Sequence, residues 1–195
     1  MGRIAKATRK TKETGIAVDL HLDGRGTAEI QTGIPFLNHM LEIFTHHGLF
    51  DLNLKATGDI KVDYHHTVED VGLTLGQAFK KALGDKKGIS RFGEATVPLD
   101  ETLAQVVVDL SGRPYLSYNV KIRLGRVGDF DTDLPQEFFR AFANQVGMNL
   151  HINVTQGENP HHIIEACFKA FARAMKRATR LDQRIQGVLS TKGSL

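Results

Sequence analysis

The stretch Asp63-Tyr64-His65-His66-Thr67-Val68-Glu69-Asp70 opens a segment with helical spacing of apolar residues, and Asn159-Pro160-His161-His162-Ile163-Ile164-Glu165 opens another. Both contain the pattern His-His-x-x-Glu, and the second copy follows the first by 96 residues, since position 161 corresponds to position 65. A pattern that recurs in both halves of a chain indicates an internal duplication. The two copies therefore predict two related halves, each with such a helix.

The same pattern suits metal binding. Residues three and four apart share one face of a helix, so Glu69 can meet the imidazole of His65 or His66. Glu165 stands in the same relation to the second histidine pair. Imidazole and carboxylate groups are common ligands of divalent metals. A single copy would more often be a solvated histidine pair at a helix start, whereas two copies with one spacing predict a metal site.

The first half of the chain predicts the order β-β-α-β-α. Apolar and polar residues alternate over residues 16–23, which is typical of a half-buried strand. Gly24-Arg25-Gly26 predicts a turn, and residues 27–31 are expected to return as the hairpin partner. Pro35 suits a first helical turn and Gly48 a helix stop, which predicts a helix over 35–47. A strand over 49–56 and the first His-His-x-x-Glu helix over 66–83 follow.

The second half predicts the same order after a junction at Lys86-Lys87-Gly88. Strands are expected over 94–98 and 103–110, with an added strand near 115–121. A helix over 134–146, a strand over 148–155 and a helix over 161–179 complete it. We therefore predict an α+β fold of two duplicated halves, residues 1–90 and 91–195, with helices on one face of each sheet. Together the halves would form one catalytic unit.

The duplication also predicts a ligand set. When residues 36–41 are set against residues 134–139, at an offset of 98, His39 falls opposite Glu137. If each half carries half of two pseudo-symmetric sites, two metals would share eight groups, four for each ion. These are His39, His65, His66, Glu69, Glu137, His161, His162 and Glu165. How the eight divide between the two ions is left open by the sequence.

Cationic groups lie in glycine-flanked turns. Arg91 and Arg113 occupy two such turns, and the C-terminal segment contains Ser190-Thr191-Lys192-Gly193. Two guanidinium groups and an ammonium suit a phosphate, although each alone is usually a surface charge. Asp100 and Glu101 lie at a turn between strands, where acids usually make local hydrogen bonds.

Composition limits the other classes of function. Cys167 is the one cysteine, which excludes an intrachain disulfide and favours a reducing compartment, so we expect a cytoplasmic protein. No apolar run of about 18 residues predicts a membrane span. The net charge of +3 includes a basic N-terminal segment, but no nucleic-acid-binding module accompanies it, so we expect no nucleic-acid partner.

Several stretches together closely resemble the imidazoleglycerol-phosphate dehydratase family of histidine biosynthesis. The resemblance runs from about residue 8 to the C-terminus, and we expect the monofunctional form of the enzyme. The motifs that carry it are Phe36-Leu37-Asn38-His39-Met40-Leu41, the two His-His-x-x-Glu stretches, Asp109-Leu110-Ser111-Gly112-Arg113-Pro114 and Ser190-Thr191-Lys192-Gly193.

The resemblance implies a reaction, a cofactor and an assembly. Family members convert D-erythro-imidazole-glycerol phosphate into imidazole-acetol phosphate and water, and their fold is similar to one ribosomal-protein domain. They bind two Mn²⁺ ions per active site, and Fe²⁺, Co²⁺ or Zn²⁺ could occupy such sites in vitro. Their subunits form trimers that assemble into a particle of 24, with the active sites between subunits.

The resemblance also assigns residues. Seven of the eight predicted ligands match the family's metal ligands, and Glu137 stands where many relatives have histidine. Glu13 matches a family acid placed to handle the substrate's protons, with Glu69 and Glu165 as competitors for that role. By composition alone Glu13 would be an ordinary surface residue. The matching phosphate-binding positions are Arg91, Arg113, Ser190 and Lys192.

Three other functions would each explain part of the sequence. A non-catalytic metal-binding protein would explain the histidines but not the basic turns. A nucleic-acid-binding protein would explain the basic N-terminal segment but not the paired His-His-x-x-Glu helices. A two-metal phosphoesterase would use a similar site, but such sites are usually richer in aspartate.

Overall fold

The computed structural model describes residues 2–195, which form an α+β fold with four helices and ten strands. The helices are α1 (Pro35–Gly48), α2 (His65–Leu83), α3 (Leu134–Val146) and α4 (Pro160–Thr179). The strands are β1 (Ile4–Lys10), β2 (Thr14–His21), β3 (Ala28–Gln31), β4 (Asp51–Gly58), β5 (Phe92–Leu99), β6 (Thr102–Asp109), β7 (Tyr115–Asn119), β8 (Arg126–Val127), β9 (Phe130–Asp131) and β10 (Asn149–Gln156).

Two four-stranded sheets share one topology, which confirms the predicted duplication. Their strand orders are β1-β2-β4-β3 and β5-β6-β10-β7. In each sheet the first three strands are antiparallel and the last pair is parallel. Strands β8 and β9 form a separate two-stranded hairpin.

The correspondence between the halves extends to single residues. The first two strands of each half pair in equivalent registers, Ile4 with His21 and Phe92 with Asp109, at a constant offset of 88. Helices α1 and α3 are followed by Leu49 and Gly147, which both have left-handed backbone conformations and lie 98 residues apart. The predicted alignment of His39 with Glu137 at that offset therefore has a structural basis.

One predicted strand pairing is wrong. Strand β3 is not the hairpin partner of β2, because β4 lies between them and β3 pairs in parallel with β4 through Ile30 and Leu54. The eight residues of β4 pair along the whole of β2, whereas the four-residue β3 completes the sheet at its edge. Strand β1 was not predicted, since Ala7 is its one buried residue and gives no alternating signal.

The helices of the two halves pack on each other between the sheets. Helix α2 packs on α3, and α1 packs on α4, so each pair joins the two halves. Phenylalanines from all four helices meet in one buried cluster. Each sheet thus carries helices on one face, and the helix starts that bear the histidine pairs lie near the ends of the adjacent strands.

Candidate active site

The two histidine pairs lie in the first turns of α2 and α4. A side-chain oxygen just before each helix accepts a hydrogen bond from the backbone N–H of the first histidine, Asp63 at 2.8 Å and Asn159 at 2.9 Å. These local bonds satisfy N–H groups that a helix start leaves unpaired. The rings within each pair are nearly perpendicular, with centroids 6.2 Å and 6.3 Å apart. The two histidines of a pair therefore face different surroundings.

The first histidine of α4 belongs to a three-residue group that suits a metal ion. Glu165 Oε2 lies 3.1 Å from His161 Nε2 and 3.3 Å from His39 Nε2, which α1 supplies. The ligand atoms of the three residues all lie within 4.8 Å of one another. The sequence placed these three residues in one set of eight candidate ligands but left open which of the eight lie together.

The electrostatics of this group favour an ionised carboxylate. Burial alone would raise the pKa of Glu165, but hydrogen bonding and charge from Lys169, with hydrogen bonds from the two histidines, lower it. Lys169 Nζ lies 2.6 Å from Glu165 Oε1. One carboxylate oxygen is held by the ammonium while the other faces the imidazoles, which is a donor arrangement that fits a divalent cation.

The equivalent residues of the other half do not converge in this way. By the duplication, Glu137 on α3 corresponds to His39, and His65 and Glu69 on α2 correspond to His161 and Glu165. Within residues 2–195 these three do not form a group with ligand atoms inside 4.8 Å. Both carboxylate oxygens of Glu137 instead contact Arg140 Nη1, at 2.5 and 2.6 Å.

The second histidine of α2 faces two acids. His66 Nδ1 lies 3.0 Å from Asp59 Oδ2 and 3.8 Å from Glu13 Oε2. The hydrogen bond to Asp59 raises the pKa of His66. Glu13 therefore lies beside a predicted metal ligand, at the turn between β1 and β2.

The second histidine of α4 has a matching environment. His162 Nδ1 lies 2.8 Å from Glu101 Oε2, and Asp100 Oδ2 lies 3.9 Å from its Nε2. The hydrogen bond from His162, with the backbone N–H of Asn159, holds the pKa of Glu101 far below its usual range. The same hydrogen bond raises the pKa of His162.

Sequence reasoning missed the roles of Asp59, Glu101 and Lys169 at these groups. Asp59 follows the end of β4, and nothing in its local sequence predicts a histidine partner. Glu101 was predicted only to make local hydrogen bonds. An alignment of the first strand pair of each half at the offset of 88 would have set it opposite Glu13.

Two of the predicted phosphate-binding residues lie together in this chain. Arg91 and Ser190 line one open groove, where Arg91 Nη1 donates to the Leu189 carbonyl at 2.8 Å. The Asp109 carboxylate also accepts from Arg91, at 2.7 and 3.0 Å, and fixes the guanidinium plane. Lys192 and Arg113 are exposed. The groove keeps N–H groups of Arg91 available for an anion, because five donors exceed these three contacts.

Comparison with known proteins identifies the family. The sequence model described as imidazoleglycerol-phosphate dehydratase matches residues 32–175. The chain belongs to this family. The imidazoleglycerol-phosphate dehydratase of Pelobacter propionicus is 62% identical over 195 residues and that of Geobacter sulfurreducens 60%, each comparison covering 100% of both chains.

Solved structures agree with this assignment. The crystal structure of imidazoleglycerol-phosphate dehydratase from Staphylococcus aureus has a TM-score of 0.82 at 44% identity, covering 92% of this chain and 99% of its own. The structure from Pyrococcus furiosus has a TM-score of 0.84 at 39% identity, with 96% and 99% covered.

The family membership establishes the reaction. The chain is a hydro-lyase that converts imidazoleglycerol phosphate into imidazole-acetol phosphate and water in histidine biosynthesis. Its substrate is a small molecule. None of the helices within residues 2–195 has the length and apolar character that crossing a membrane requires.

Proposed function

We propose that this dehydratase works with two Mn²⁺ ions per active site, bound by the eight predicted histidine and glutamate ligands. The observation that carries the proposal is the convergence of His39, His161 and Glu165 from two helices of different halves. Two imidazoles and an ionised carboxylate fit a divalent first-row metal. Fe²⁺, Co²⁺ or Zn²⁺ could replace Mn²⁺ in vitro, since ligand type alone does not select one of them.

The duplication suggests how the ligands divide. One ion would be held by His39, His161 and Glu165. The other would be held by the equivalent residues Glu137, His65 and Glu69, once Glu137 has left Arg140. Each set of three lacks a fourth protein ligand, and His66 and His162 remain for that position.

The second histidine of each pair supports sites shared between subunits. The Nδ1 atoms of His66 and His162 are bound to acids of their own chain, which leaves each Nε2 as the metal-binding atom. Each of these rings faces acids that lie at strand ends and turns. Neither ring faces the three-residue ligand group of its own chain. We infer that they complete the sites of neighbouring subunits in a trimer, and that trimers assemble into a particle of 24.

The metals, when bound, would supply Lewis acidity toward the substrate imidazole and hold it in place. The chain's own residues would do the rest. Arg91 and Ser190, with Arg113 and Lys192, would bind the phosphate and fix the position of the glycerol chain. Glu13 has an exposed carboxylate beside His66 and would move a proton between the reacting carbon chain and solvent. Glu69 and Glu165 are less suited to this role as ligands.

We further propose that the enzyme is cytoplasmic. Its one cysteine is free and buried, and free thiols are typical of proteins in a reducing compartment.

The deciding experiment measures turnover of imidazoleglycerol phosphate by chelator-stripped protein, before and after Mn²⁺ is added, while particle mass is followed in the same samples. We expect activity only with Mn²⁺, and growth from trimers to a larger particle as the shared sites fill. Full turnover by protein shown to contain no metal would overturn the cofactor proposal and leave the reaction itself in place.

A further inference from the structure

The two halves place an acid at the same position of the same turn. Strands β1 and β2 are joined through Thr11-Lys12-Glu13, and β5 and β6 through Asp100-Glu101. The strand registers on both sides of these turns correspond at an offset of 88, which sets Glu13 opposite Glu101. Each acid also faces the second histidine of its own half, at 3.8 Å for Glu13 and 2.8 Å for Glu101.

The two acids differ in how firmly they are held. Glu101 Oε2 accepts from His162, while its Oε1 lies within hydrogen-bond distance of the backbone N–H groups of Glu158 and Asn159, at 3.2 and 3.0 Å. Within residues 2–195 no group donates a hydrogen bond to the Glu13 carboxylate, and its side chain is 56% exposed. One acid is fixed by its partners, whereas the other is free to meet a substrate.

The cause of this difference lies one residue beyond β4 in the first half and β10 in the second, which are the third strands in the spatial order of their sheets. Asp59 follows β4, and its Oδ2 atom lies 3.0 Å from Nδ1 of His66. The corresponding residue after β10, at the offset of 98, is Gly157. A Cβ atom at Gly157 would lie 2.7 Å from Ile163 and 2.9 Å from Thr102, so no acid fits there. In the second half the turn acid therefore replaces the missing aspartate.

We propose that Glu101 is a positioning residue that holds His162 for metal binding, while Asp59 holds His66 and so leaves Glu13 free for proton transfer. This inference rests on the proposed two-metal function. Glu101 and Asp59 each accept a hydrogen bond from Nδ1–H, which leaves the Nε2 lone pair of a neutral ring for the metal. The two equivalent turn acids thus have different roles: Glu101 is a positioning residue and Glu13 is a catalytic residue.

Glu101→Gln tests this directly, because one amide oxygen cannot serve both the backbone N–H groups and His162. If the amide nitrogen faces the ring, it donates to Nδ1 and forces the proton onto Nε2. We expect the affinity for one of the two Mn²⁺ ions per chain to fall about 10–100-fold. Equilibrium dialysis of the full-length protein against Mn²⁺ at about pH 8, where protons compete weakly for imidazole, measures it.

Two matched variants separate positioning from proton transfer. Glu13→Gln should bind both Mn²⁺ ions as the wild type does, while turnover falls about 10²–10⁴-fold and excess Mn²⁺ does not restore it. Turnover by Glu101→Gln should instead recover as Mn²⁺ is raised. Glu158→Gln removes a negative charge from the segment before α4, where the backbone N–H of Glu158, and not its side chain, donates to Glu101. It should leave Mn²⁺ binding unchanged.

Asp59→Asn gives a second test should Glu101→Gln fold poorly, which thermal unfolding of the metal-free protein would reveal. Asp59→Asn should lower the affinity for one Mn²⁺ ion per chain by a similar factor, because His66 would lose the partner that orients it. Unchanged Mn²⁺ binding by either correctly folded variant would overturn the inference for that residue. A wild-type protein that binds no Mn²⁺ would instead overturn the proposed function, and this inference with it.

Discussion

The two proposed ligand groups occupy equivalent places in the duplicated fold, yet within residues 2–195 the side chains of only one of them converge. Glu165 is held beside His39 and His161 by Lys169, whereas Glu137 is held by Arg140. Neither of these two basic side chains has a basic equivalent in the other half. Lys169 corresponds to Leu73 at the offset of 96, and Arg140 corresponds to Glu42 at the offset of 98. Topology therefore fixes where ligands lie, while neighbouring charges decide whether a carboxylate points at its partners.

Loss of a ligand from each group is the strongest test of this equivalence. We expect His161→Ala and His65→Ala each to remove one Mn²⁺ ion per chain, because each leaves a group with two ligands from its own chain. Turnover should fall on the order of 10³-fold in both, since bound metals would supply several kcal/mol of stabilisation to the reacting charge. Metal content of the purified protein and steady-state turnover measure the two effects.

The control for these variants is His151→Ala, which removes an exposed strand imidazole whose ring centroid lies 5.7 Å from that of Tyr115. It should change neither metal content nor turnover. If His161→Ala lost an ion and His65→Ala kept both, the Glu137 group would not be a metal centre and the equivalence would fail.

The helix pairs that carry the two groups also differ in how closely they pack. A Cβ atom at Gly72 of α2 would lie 2.7 Å from the Phe138 carbonyl oxygen of α3. The residue equivalent to Gly72 in α4 is Phe168, whose ring packs 4.8 Å from Phe139. Helices α2 and α3 therefore meet through backbone, whereas α4 meets its neighbours through aromatic side chains.

Gly72→Ala should consequently destabilise the fold. Alanine favours a helix over glycine by about 1 kcal/mol, but the clash with the α3 backbone should outweigh this and cost about 1–3 kcal/mol overall. Thermal unfolding of the metal-free protein measures the loss. Gly125→Ala makes the same chemical change where no atom lies within 4 Å, and it should leave the melting temperature unchanged. A higher melting temperature for Gly72→Ala would show that α2 and α3 can shift apart enough to accept the extra methyl group.

These contrasts show what the sequence could predict. The paired His-His-x-x-Glu helices and the offset of 98 correctly predicted the duplicated α+β fold, because periodicity and repetition are local signals. The pairing of β3 could not be predicted, since the position of β4 between β2 and β3 depends on contacts distant in sequence. The contact between Asp59 and His66 could not be predicted for the same reason. The contact between Lys169 and Glu165 depends on side-chain orientations that the sequence does not fix.

The remaining contrast between the two ligand groups is the residue type at one position, His39 in one and Glu137 in the other. A group with two imidazoles should favour Zn²⁺ over Mn²⁺ more than a group with two carboxylates does, because nitrogen donors suit zinc. Glu137→His combined with Arg140→Gln, which removes a cation that would lose its partner, should shift the preference of one ion per chain toward Zn²⁺ by about tenfold. Dialysis against mixtures of the two metals measures the shift, and His39→Glu should move the other ion in the opposite direction. Shifts of the same sign in both variants would show that shared surroundings, and not the ligand at this position, set the metal preference of the two centres.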